Sequence, residues 1–152
     1  IMTHRLISAL LLNILLIPTG CAKLPSTPWA EINGNRFTIE VANTPELRER
    51  GLMFRREMPA DAGILFIHDE TSPIAYWMKT TYIPLDILYF DEQFKLVSAQ
   101  LNVPPCGDQV QCPNYPSDAP AKYVLELNAG IAEKIKLKKN DQLKVSESVI
   151  SK

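Results

Sequence analysis

Residues 76–86, YWMKTTYIPLD, place an indole, an ammonium, two threonine hydroxyls and a carboxylate between strongly apolar runs. On an extended chain Trp77 and Lys79 share one face and Met78 takes the other. An aromatic surface beside an ammonium makes a floor for a polar ligand, through stacking, cation–π attraction and hydrogen bonds. The competing reading has Trp77 covering the core while Lys79 snorkels outward. Asp86 is the only charged side chain in IPLDILYF, and a carboxylate there is costly unless paired or hydrated. Lys79 is close enough in sequence to turn back to it, and Arg50 can arrive from an upstream helix. Glu126 in YVLELN raises the same question, but alternation opposite Leu125 and Leu127 is also ordinary for a solvent-facing residue, so Asp86 ranks above it. These residues assemble a pocket of Arg50, Trp77, Lys79, Asp86 and Glu126, suited to a small anionic or polyhydroxy molecule. The rival is a structural ion network of Arg50, Lys79 and Asp86 holding helix to sheet.

Other chemistries are less well supplied. His68 is the only imidazole after the first few residues, and Met53, Met58 and Met78 are dispersed. Neither a soft Cu(I) centre nor any other metal site is therefore expected, and no cofactor. No nucleophile motif accompanies His68, and Gly-rich phosphate loops are absent. A hydrolase using Asp86 and Glu126 would need their oxygens about 5 to 10 Å apart across an open cleft. With 152 residues, 46% hydrophobic, and a net charge of −1, the chain has the apolar content of one compact domain and no broad cationic field for nucleic acid. A monomer is expected.

The elements that must position these groups begin after a leader. With Met2 read as the start, His4 and Arg5 precede an apolar run from Leu6 to Ile17 and then small residues, the layout of a secretory signal over 1–20. The run is too short to span a bilayer, which takes about 20 residues in a helix. IPTGC resembles a bacterial lipoprotein processing site that would leave a lipid on Cys21, anchoring an exported protein to a membrane. Pro18 departs from that pattern, and a cut after Ala22 would release the protein instead. The Pro-rich stretch 21–28 reads as a tether, and a single domain follows over 29–152. Cys106 and Cys112, six apart in a Pro-rich loop, read as a disulfide in an oxidising compartment, near the mouth of the pocket.

Along the domain, WAEI and RFTIEVA flank Asn33-Gly34 as a hairpin. Thr44 and Pro45 start a short helix, docked on the sheet by Leu47 and Met53 or Phe54, with Gly51 at its end. GILFIHD, PIAYWM, IPLDILYFD, KLVSAQLNV, KYVLEL and QLKVSES read as strands, and AGIAEKIKLKKND as a second short helix. The expected fold is mainly β (α+β): a curled or closed antiparallel sheet with two short helices.

RGLMFR at 50–55, GILF at 63–66, YWMKTT at 76–81, IPLDILYFD at 83–91 and YVLELNAG at 123–130 together resemble, in order and spacing, the prokaryotic family called domain of unknown function 192. The likeness covers about residues 29–147. The family usually carries Asn where Thr80 stands and a larger apolar residue where Ile64 stands. The resemblance implies a small, β-rich, often exported fold without an established activity. Taken with the residues, it points to an envelope-located binding module for a small polar ligand, such as a sugar or cell-wall glycan. The alternatives are the Asp86/Glu126 hydrolase and an assembly accessory for other envelope proteins.

Overall fold

Asn33 and Gly34 both take positive φ, 50° and 75°, the conformation a two-residue hairpin needs and these residues tolerate. In the computed structural model, which describes residues 27–151, they join strand β1 (Trp29–Ile32) to β2 (Asn35–Ala42). The expected leader at 1–20, Cys21 and most of the tether lie outside the described residues.

Two residues past β2, Thr44 caps helix α1 (Pro45–Arg50), accepting the Leu47 N–H at 3.3 Å. Gly51 closes the helix at φ 43°. The helix itself buries nothing, and Leu47 and Phe54 are exposed. Leu52, rather than those residues, is the buried anchor of this segment. The chain then enters β3 (Ala62–Ser72), which runs parallel to β2. One parallel pair corrects the all-antiparallel expectation, and α1 with its following loop is the crossover such a pair requires.

After β3 come β4 (Ala75–Trp77), β5 (Leu85–Phe90), β6 (Leu96–Val103), β7 (Asn114–Pro116) and β8 (Ala121–Asn128). Helix α2 (Ile131–Lys134), β9 (Lys144–Val145) and α3 (Glu147–Ile150) complete the order. The expected second helix is thus a single turn, the expected last strand keeps only Lys144 and Val145, and a third short helix, α3, begins within its end. Seven strands form one mixed sheet in the order β6-β5-β8-β3-β2-β1-β9, and β4 and β7 form a separate two-stranded sheet. Leu96 N–H donates to Asp141 O (2.9 Å) and Leu143 N–H to Phe94 O (2.8 Å). These bonds draw the start of β6 toward the chain entering β9, so the sheet curls into a half-barrel.

Both faces of the sheet's centre are covered, which is why β5 is buried at all six positions. Leu88, Phe90, Leu125 and Leu127 pack on one side with Ala132 and Ile135 of the α2 region. Ile87, Tyr89, Val124 and Phe66 pack on the other with Leu52 and Met78.

Candidate functional site

On this second side a cleft of about 200 Å³ opens, lined from α1 by Arg48, Glu49 and Arg50. Phe66 and His68 of β3, Tyr76 and Trp77 of β4, then Lys79 and Thr81, complete its walls, and Glu126 of β8 lies in it as well. Four of the five residues singled out in the sequence, Arg50, Trp77, Lys79 and Glu126, therefore line one cavity.

The fifth, Asp86, does not. In the β5–β8 pairing Asp86 stands opposite Leu127, and Ile87 opposite Glu126. Directly paired residues share a face and neighbours alternate, so the two carboxylates lie on opposite sides of the sheet. Asp86 is fully buried, and among the described residues no basic side chain pairs with it. Its Oδ1 accepts the Asn102 N–H at 2.8 Å and its Oδ2 accepts the Ala132 N–H at 2.8 Å. Two backbone donors meet the requirement that the sequence assigned to cations. The acid joins β5 to the end of β6 and to the first turn of α2. The ion network of Arg50, Lys79 and Asp86 is absent, and so is the arrangement of paired carboxylates across a cleft.

Glu126 takes the place expected of Asp86. It is only 4% exposed rather than solvent-facing, and its carboxyl accepts no hydrogen bond among the described residues. No fully enclosed side-chain oxygen or nitrogen among them lacks a partner, so the Glu126 oxygens keep an opening onto the cleft. Burial pushes its pKa up to about 8, leaving the acid protonated, and able to donate a hydrogen bond, at neutral pH.

Tyr76, next to Glu126, and His68 line the same cleft, and neither carries a spacing that would single it out in the sequence. His68 Nε2 lies 3.0 Å from the Tyr76 hydroxyl. Burial, reinforced by Arg48, holds the imidazole below its ordinary pKa. Burial and then the neighbouring Glu126 raise the Tyr76 and Tyr89 phenols above theirs. A single His and a Tyr eight residues away carry no recognisable spacing; only the turn from β3 into β4 brings them together.

At the rim, Trp77 is 47% exposed and does not cover the core. The Lys79 ammonium sits 5.1 Å from the indole centroid, an attraction worth about 0.5–1 kcal/mol at an exposed site. Neither Lys79 nor Arg50 makes an ion pair among the described residues, whereas Arg48 is held by Asp69 (3.5 Å) and the Ile67 carbonyl (2.7 Å). The loop closed by the Cys106–Cys112 disulfide braces this rim from behind instead of lining the cleft. Residues 114–116 pair with β4, Thr80 N–H donates to Gly107 O (2.9 Å), and Gly107 N–H donates to Thr81 O (3.0 Å).

The profile of the DUF192 family, described as an uncharacterised ACR, matches residues 29–145. A Sinorhizobium meliloti protein described as a candidate transcription regulator is 36% identical with a TM-score of 0.69, the match covering 78% of this chain and 91% of that one. A Novosphingobium aromaticivorans protein of unknown function is 28% identical with a TM-score of 0.69, covering 77% and 82%. No curated protein matches the chain.

Proposed function

Since the chain belongs to the DUF192 family, whose members are uncharacterised, its role has to be read from its own cleft, and we propose a non-enzymatic binding module for a small polyhydroxy ligand, a sugar or glycan fragment, in the cell envelope. The observation that carries this reading is Glu126: a buried, protonated carboxyl without a hydrogen-bond partner among the described residues, opening into a cleft. An unpartnered buried polar group is costly, and a ligand hydroxyl would satisfy it. Thr81 adds a second hydroxyl to the lining, and Trp77 an exposed aromatic wall of the kind a sugar ring packs on.

At about 200 Å³ the cleft is smaller than the ~300 Å³ at which drug-sized sites begin, so it suits one ring or a chain end. The regulator description of the Sinorhizobium meliloti protein is not carried over, because a net charge of −1 supplies no general attraction for a phosphate backbone. The leader and Cys21 anchor belong to this proposal as the means of export, and mass spectrometry of the native amino terminus tests them by looking for lipid on Cys21.

Thermal-shift screening of the purified protein against neutral and acidic monosaccharides and short glycans tests the ligand. A saturable rise in Tm with at least one sugar, lost in Trp77→Ala and Glu126→Ala, is expected. Flat melting curves with every sugar would overturn the reading.

A further inference from the structure

We propose that the ligand of this cleft is an acidic sugar, a single ring of the uronic-acid class whose carboxylate is taken by Arg50 and Lys79 while its hydroxyls reach Glu126. This rests on the sugar-binding reading above and adds the charge of the ligand to it.

The lining is polar at two depths with different chemistry. Deep in the cleft stand Glu126, Tyr76 and Thr81, groups that exchange hydrogen bonds with hydroxyls. At the rim stand Arg50 and Lys79, both exposed and without an acidic partner among the described residues. Glu126 owes its raised pKa to burial alone. No cation depresses it, which separates the rim charges from the floor and leaves them for a second group on the ligand. Among the described residues the Lys79 ammonium meets only the indole, a contact weak enough to yield to a carboxylate.

The sign and number of charges narrow the anion further. Arg48 is occupied by Asp69 and a carbonyl. Of the remaining lining residues Glu49 is exposed and ionisable. Two free cations against one carboxylate leave a single net positive charge, matched to a monoanion. A phosphorylated sugar, close to a dianion at neutral pH, would meet Glu49 with its second charge. Apolar surface from Leu52, Phe66 and Ile74 lies between rim and floor, where the carbon face of a ring would rest.

Isothermal titration of the protein at pH 6.5 with glucuronate, galacturonate, their methyl esters, glucose and glucose 6-phosphate tests this. At least one uronate is expected to bind about tenfold tighter than its ester and than glucose, the difference that one charge-assisted contact supplies. The preference should shrink with added salt. It should disappear in the Arg50→Gln/Lys79→Gln double variant while the weaker affinity for the ester persists. Equal affinity for uronate and ester, or tighter binding of the 6-phosphate, would overturn the acidic-sugar inference and leave sugar binding standing. Absence of binding by every sugar would overturn both. Circular dichroism of the double variant checks that it folds.

Discussion

At the scale of single residues, the two buried acids show how local sequence and environment part company. Asp86 and Glu126 occupy similar apolar strands and stand one register position apart in paired β5 and β8. One receives two backbone N–H bonds and the other accepts none. That difference alone makes the first a structural tie and the second a candidate ligand donor. Thr80 is a different residue-scale case: it sits at φ 52°, where a β-branched side chain is strained and Asn is tolerated. Thr80→Asn should raise stability by about 1 kcal/mol, read as a higher urea midpoint at unchanged slope. The gain is offset in part by losing the Thr80 Oγ1 bond to the Lys79 carbonyl, 2.8 Å.

At the scale of elements, the rim of the cleft is a short strand and a turn that no long ladder supports. β4 has three residues, and its only strand partner among the described residues is β7, just after the disulfide loop. The Cys106–Cys112 link closes a loop of six-residue separation, and on loop entropy it should stabilise the fold by about 2 kcal/mol. Its larger effect is positional, because Gly107 inside the loop holds Thr80 and Thr81 by two backbone bonds. The double variant Cys106→Ala/Cys112→Ala should therefore melt several degrees lower, about what 2 kcal/mol represents for a domain of this size. It should also show faster amide exchange over residues 77–81 than over the central strands. Equal protection in both regions would count against the brace.

For the whole molecule, the curled sheet and its crossover bury Glu126 without a cation to hold its charge, and stability must then vary with pH. Below its ordinary pKa of 4.5, Glu126 is protonated in both states and costs nothing extra. Between that value and about 8 the folded protein retains a proton that the unfolded chain releases, so stability falls as pH rises and levels off above. Tyr76 and Tyr89 are the titratable groups that interact with Glu126, while His68, Arg48, Glu49, Arg50 and Lys79 line the same cleft without shifting it. The phenols stay neutral throughout, whereas His68, its pKa lowered by burial, opposes the decline below its ordinary 6.5, so the Glu126 contribution is isolated by comparing parent with variant. Glu126→Gln should thus flatten the decline in Tm between pH 5 and 8, lying closest to the parent at pH 5 and above it at pH 8. A parent and variant that decline in parallel would show that the carboxyl ionises freely in the fold.

What the sequence determined by itself was the part written in local chemistry. Asn33-Gly34 sets the hairpin, Thr44-Pro45 starts α1, two spaced cysteines form a link, and alternating runs make strands. The lining of one cleft by Arg50, Trp77, Lys79 and Glu126 was also legible, because charged and aromatic residues stood out against apolar surroundings. Only the tertiary structure decided that β2 and β3 run parallel, that Asp86 faces α2, that Glu126 faces the cleft, and that His68 meets Tyr76. Strand periodicity states that neighbours alternate but not which side of a sheet each set will face. That choice depends on which distant segments cover each face, and on backbone donors, which every residue type except proline carries and which the identity of the side chains therefore does not reveal.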